Sequence, residues 1–107
     1  MPELGLTQAC LTLLVDLLQQ HVPSAEVWAF GSRLEGTWHE GSDLDLVLRN
    51  PRDPSLPLED WSSLVTALQE SRLPILVDLH EWSRLPDSFQ QKIQRHHAVL
   101  KPASASS

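Results

Sequence analysis

Basic residues are scarce in this sequence. Eight Lys and Arg stand against fourteen Asp and Glu, for a formal net charge of −6 over 107 residues. Proteins that wrap nucleic acid by charge neutralise phosphates with many Lys and Arg, commonly along a basic stripe. Here the few basic residues are scattered, so direct nucleic-acid binding is not expected. An acidic chain can still act on a nucleotide where metal ions neutralise the phosphates. Cysteine is almost absent: Cys10 stands alone and cannot close an internal disulfide. Its place in an apolar helical pattern reads as a small buried hydrophobe. No apolar run reaches the roughly 20 residues of a membrane span. The longest cluster, Leu11 to Leu18, is broken by Thr12 and Asp16. The start Met1-Pro2-Glu3 lacks the basic stretch and small-residue cleavage site of a signal peptide. These absences lead to the expectation of a cytoplasmic protein with no membrane association.

What is present reads as globular, with 41% hydrophobic and 21% charged residues. A chain of this length suits one domain, burying roughly 60–70% of its unfolded surface. Residues 1–101 are expected to form that domain, and the small, polar residues 102–107 a flexible tail. Leu11, Leu14, Val15 and Leu18 recur at helical spacing and predict a helix over 7–21, with Thr7 as N-cap and Pro23 beyond its end. Residues 25–30 are rich in β-formers and predict a strand ended by Gly31-Ser32. Residues 33–41 read as a short helical turn plus loop. Residues 44–49 form a nearly continuous apolar run, as in a strand covered on both faces. Leu58, Trp61, Leu64, Val65 and Leu68 mark a second amphipathic helix. Residues 75–79 predict a third strand after Pro74. Pro86 suits the first turn of a last helix carrying Phe89, Ile93 and His97 on one face, and residues 98–100 suit a short edge strand. Helices alternating with strands imply a layered α/β sheet, whose ligands sit beyond the strand ends.

The unusual residues fall at those ends. Asp43 and Asp45 lie two apart at the start of the second strand, so both carboxylates point to one side. Like charges that close repel unless a cation lies between them. Asp78 interrupts the third strand between Val77 and Leu79, a costly place for a charge unless it is paired or metal-bound. If the two strands are neighbours, the three aspartates converge, and Mg²⁺ favours a few carboxylates completed by water and phosphate. Taken singly, Asp43 also suits a loop cap and Asp78 an ion pair. Gly31-Ser32 follows directly on a strand. There a glycine lets backbone amides approach a phosphate, although a lone Gly-Ser pair is also an ordinary turn.

The full string is Gly31-Ser32-Arg33-Leu34-Glu35-Gly36, a spacer, then Ser42-Asp43-Leu44-Asp45-Leu46. It resembles the signature of the DNA polymerase β-like nucleotidyltransferase superfamily, and within it the minimal nucleotidyltransferase family. The match is close from Ala29 to Val47 and extends through Asp78, the position expected for the third family aspartate. The resemblance implies an α/β (α+β) fold, a small mixed sheet with helices packed on it. It implies ATP as nucleotide donor and two Mg²⁺ ions, with Asp43, Asp45 and Asp78 as metal-binding and catalytic residues. Gly31, Ser32, Arg33 and Ser42 would hold the nucleotide, Gly31 and Ser32 at its β- and γ-phosphates. Two departures stand out. Glu35 occupies a position where relatives often carry a basic residue, which removes a phosphate contact. His96 or His97 stands where they often carry glycine.

Arg33 is equally well read as a solvated arginine. His39, His80, His96 and His97 show no zinc spacing and read as surface or loop histidines. Trp28 and Trp61 fit the core pattern, while Trp38 is placed to contact a base or a partner. Minimal nucleotidyltransferases are typically encoded beside helical HEPN ribonuclease toxins, which they neutralise by attaching AMP to a tyrosine. The resemblance therefore implies a HEPN-type toxin as partner and acceptor. The little chain beyond the motif region points the same way, to a protein partner or a dimer. Two alternatives stay open: a non-catalytic antitoxin that masks the toxin by binding, and a homodimeric enzyme acting on a small molecule of aminoglycoside type.

Overall fold

Thr7 opens the first helix as its sequence requires. Its hydroxyl oxygen accepts from the Cys10 amide at 3.1 Å, capping α1 (Gln8–His21) and satisfying an amide that a helix start leaves open. The computed structural model describes residues 6–31, 43–53, 61–73 and 75–101. After α1 come β1 (Glu26–Phe30), β2 (Leu44–Arg49), α2 (Trp61–Glu70), β3 (Val77–Glu81), a single 3₁₀ turn (Trp82–Arg84), α3 (Asp87–Arg95) and β4 (Ala98–Lys101). The four strands form one mixed sheet in the order β3-β2-β1-β4. β1 runs antiparallel to β2 and β4, and β2 runs parallel to β3. The expected small mixed sheet with helices packed on it is therefore the observed fold. Among the described residues, no helix is long and apolar enough to cross a membrane.

Strand alternation sorts the side chains onto two faces. On one, Val27, Ala29, Leu44, Leu46 and Leu48 are almost fully buried with Leu14 and Leu18 of α1 and Leu64 of α2. Val77 and Leu79 pack against the same cluster. On the other, Trp28, Phe30 and Val47 meet Trp82 and Ile93 of α3. Cover on both sides explains the nearly unbroken apolar runs of the two central strands. The second face also holds Arg49, whose guanidinium lies 4.3 and 4.7 Å from the ring centroids of Trp28 and Trp82. Its Nη1 donates to Glu26 Oε1 at 2.6 Å.

Several boundaries differ from the sequence expectation. β3 begins at Val77, not residue 75, and continues to Glu81. Its first rung pairs Leu44 with Val77, and Leu76 ahead of it is 73% exposed. Pro86 is the N-cap of α3 and lies just before its first turn. His97 lies beyond the end of that helix, its ring stacked 3.8 Å from Trp28. Cys10 is only partly buried, not enclosed as its apolar neighbours suggested. The expected core role of the Trp61 side chain, the loop over 33–41 and the tail 102–107 lie outside the described residues.

Lys101, on edge strand β4, is 1% exposed. Its Nζ donates to the carbonyl oxygens of Pro23 at 2.7 Å and Ala25 at 2.6 Å, tying the end of the sheet to the α1–β1 connection. Burial holds its pKa below the usual lysine value. Two opposed effects meet here: desolvation disfavours the ammonium, and the buried Ala25 carbonyl and the part-buried Pro23 carbonyl depend on it. Hydrogen bonds from charged donors contribute about 1.5–3 kcal/mol each, and an orphaned buried acceptor costs about as much. Lys101→Met is therefore expected to lower unfolding stability by about 2 kcal/mol, measured by urea denaturation. Between the folded and unfolded lysine pKa values the unfolded chain binds more protons, so wild-type stability gains as pH rises through that alkaline window. The Met variant lacks this gain.

Candidate active site

The site grows from one rung of the sheet. Asp45 on β2 stands opposite Phe30 of β1 on one side and Asp78 of β3 on the other. Side chains two apart on a strand share a face, so Asp78 brings His80 with it. The His80 Nε2 lies 3.3 Å from Asp78 Oδ2 and 3.6 Å from Asp45 Oδ1. One donor atom from each of the three residues falls within 4.8 Å of the others. Asp45 and His80 are each 27% exposed in their side chains, and Asp78, on the outermost described strand, is 56% exposed. The Phe30 ring packs at 5.3 Å from the imidazole.

The electrostatics are those of a site prepared for a cation. Burial pushes the Asp45 carboxyl above its ordinary pKa; the charge and polar contact of His80 oppose the shift, and the charges of Asp78 and Asp43 add to it. The His80 Nε2 is shut off from solvent yet meets neither carboxylate in hydrogen-bonding geometry. A buried polar atom without a partner is costly. A divalent ion among the three side chains would satisfy the nitrogen and relieve the carboxylate repulsion together. The residues present therefore fit the metal that the sequence implies.

Gly31 ends β1 with φ +88°, a conformation that L side chains rarely adopt. A Cβ at this position would collide with the Asp45 carboxylate. Glycine is thus required both by the turn and by the close approach of Asp45. Beside them opens a cleft of about 420 Å³, reaching from Gly31, Asp45 and His80 to Phe89, Lys92 and Arg95 of α3. The Asp45 carboxylate at the sheet end of the cleft and the cationic side chains of α3 at the other suit an anionic ligand bridged to the sheet by metal.

Of the residues singled out in the sequence, Asp45 and Asp78 come together, with Gly31 against Asp45. Asp43 is exposed just ahead of β2 and close enough to act on the Asp45 charge. Ser32, Arg33 and Ser42, with Glu35, Trp38 and His39, lie outside the described residues. One histidine reading is corrected. His80 is neither a loop residue nor a surface histidine: it belongs to β3 and aims at two carboxylates. Its position two residues after Asp78 was the available signal. His97 is partly buried, and its Nδ1 lies 2.9 Å from the Ile93 carbonyl oxygen.

A mixed sheet carrying paired strand-end aspartates beside a glycine turn is the architecture of a nucleotidyl-transferring domain. Residues 11–100 match the family described as nucleotidyltransferase domain, and the chain belongs to that family. It is 34% identical over 99 residues to a probable protein adenylyltransferase MntA of Haemophilus influenzae, covering 92% of this chain and 85% of that protein. Two solved structures share the fold. One is a toxin–antitoxin with AMP-PNP, with a TM-score of 0.68, 22% identity, and 90% of this chain and 76% of that chain covered. The other is the toxin–antitoxin MntA-HepT, with a TM-score of 0.57, 17% identity, and 91% and 74% covered.

Proposed function

We propose that this protein is the antitoxin of a toxin–antitoxin pair and transfers AMP from ATP to a tyrosine of its HEPN-type toxin partner. The observation that carries the transfer reading is the meeting of Asp45 and Asp78 beside an open cleft, on the sheet of a nucleotidyltransferase domain. The protein acceptor is supported by the likeness to the Haemophilus influenzae adenylyltransferase. The toxin as acceptor draws support from the toxin–antitoxin pairs that share the fold. The 107 residues contain no tyrosine, so the tyrosine acceptor of this reading lies outside them.

In this reading Asp43, Asp45 and Asp78 hold Mg²⁺, which when bound neutralises triphosphate charge and polarises the α-phosphate. Gly31, Ser32, Arg33 and Ser42 hold the nucleotide, and Lys92 and Arg95 give the cleft its cationic wall. Asp78, open to solvent on the outermost described strand, receives the incoming hydroxyl and accepts its proton. The tyrosine oxygen bonds to the α-phosphorus, the bond to the β-phosphate oxygen breaks, and pyrophosphate leaves. The product carries one added AMP and its negative charge, which repels RNA phosphates from the toxin.

The test is to co-express the chain with its toxin partner, purify the toxin alone and weigh it. AMP-sized increments that are absent when Asp43→Asn replaces the wild type are expected. An unmodified toxin, inhibited only while this protein stays bound and equally well by Asp43→Asn, would establish masking instead.

A further inference from the structure

The proposed function gives the metal to Asp43, Asp45 and Asp78 and assigns His80 no role, although its nitrogen lies among the same carboxylates. We propose that His80 is a direct ligand of the metal ion held by Asp45 and Asp78, and that its nitrogen makes the site prefer Mn²⁺ to Mg²⁺. The proposal rests on the metal-site reading and adds to it.

Three observations carry it. First, Asp78 and His80 are two apart on β3, and β3 pairs in parallel register with the strand bearing Asp45, so all three side chains leave the sheet on one face. Second, the separations suit coordination. Neighbouring ligands of an octahedral ion with bonds of about 2.1 Å lie about 3 Å apart. The His80 Nε2 is 3.3 and 3.6 Å from the nearest carboxylate oxygens, so a small closure completes the geometry. Third, that nitrogen is buried and without a hydrogen-bonded partner, while the Phe30 ring beside it limits where the imidazole can turn. A histidine serving only to neutralise the aspartates would be expected to donate a well-formed hydrogen bond to one of them.

The metal preference follows from the donor set. Mg²⁺ favours oxygen and keeps its waters, whereas Mn²⁺ and later divalent ions bind nitrogen more readily. Loss of even an outer-sphere partner costs about 10–100-fold in metal affinity. Loss of a direct nitrogen ligand should cost Mn²⁺ at least as much and Mg²⁺ far less.

The experiment uses the whole chain with Mn²⁺ or Mg²⁺ alone and no nucleotide. Paramagnetic resonance measures Mn²⁺ binding, with Mg²⁺ as competitor, and electron spin-echo modulation reports a coordinated ¹⁴N. The wild type should bind Mn²⁺ at least about tenfold more tightly than Mg²⁺ and show imidazole modulation. In His80→Gln, checked for folding by circular dichroism and backed by His80→Asn, the modulation should vanish and the Mn²⁺ preference collapse. Asp45→Asn should lose both ions. Mn²⁺ that binds the wild type without ¹⁴N modulation, or modulation that survives in His80→Gln, overturns the proposal while the aspartate site stands. Mn²⁺ binding unchanged in Asp45→Asn removes the site itself, and the proposal with it.

Discussion

Asp45→Asn is expected to abolish Mg²⁺-dependent ATP binding and yet give a metal-free protein that melts at a higher temperature than the wild type. Both halves follow from the same charge. Asp45 is partly buried, and the charges of Asp78 and Asp43 work against its ionisation. Its pKa is therefore raised on folding. The folded state binds the Asp45 proton more tightly than the unfolded chain does. As pH rises from the unfolded carboxylate pKa through the folded one, this group costs stability, and the full cost is present at neutral pH. Asn removes that cost together with the ligand. The loss in AMP transfer should be at least about 100-fold, the scale seen when one preorganised charge-stabilising group is removed. Titration calorimetry with ATP, with and without Mg²⁺, reads the first half, and thermal melting in chelator reads the second. Equal Mg²⁺-dependent ATP affinity in wild type and variant would remove Asp45 from the metal site. A lower melting temperature would mean that its partners stabilise the carboxylate more than burial and repulsion oppose it.

Replacing Gly31 should do nearly as much damage by a steric route. In Gly31→Val the residue must hold φ +88°, which costs a non-glycine residue about 1–3 kcal/mol. Its Cβ must also displace the Asp45 carboxylate. The turn and the Asp45 carboxylate cannot both stay in place, so transfer should fall by at least about 100-fold if that carboxylate holds the metal as proposed. Stability should fall by about 2 kcal/mol. If Ser32 holds a phosphate as proposed, Ser32→Ala removes one hydrogen bond, of about 0.5–3 kcal/mol depending on charge, and should be the milder change. Gly31→Ala should already be impaired, since it must hold the same φ and its methyl group meets Asp45. Full transfer in Gly31→Ala with a dead Ser32→Ala would show that Gly31 does not position the carboxylate.

How legible the site was depends on how local each feature is. The string from Gly31 to Asp45 was readable because a strand, a glycine turn and a second strand follow one another in sequence. β2 was found with its observed bounds, since apolar residues fill all but one of its first five positions. β3 was misplaced by two residues. Ile75 and Leu76 look like strand residues by composition, whereas the ladder takes up Val77 through Glu81, whose polar members Asp78, His80 and Glu81 weaken an apolar pattern. The polar residues that hid the strand include those of the site. His80 was passed over for the same reason. Its spacing of two from Asp78 put both side chains on one face, but nothing local to the segment said what lies opposite them.

The sequence by itself determined the class of fold, the glycine turn and the capping of α1, because periodicity and backbone preference act within a few residues. Only the tertiary structure decided that β2 and β3 lie side by side in parallel register, so that Asp45 meets Asp78 and His80. It also decided that α3 closes over that face to make a cleft, and that Lys101 ends beneath the α1–β1 connection. Those are pairings between distant segments. They are selected by the joint burial of Leu14, Leu18, Leu46 and Leu64 on one face and of Trp28, Phe30, Val47 and Ile93 on the other. No single segment encodes that burial alone, since apolar attraction carries no direction and takes its partners from the packing of the whole chain.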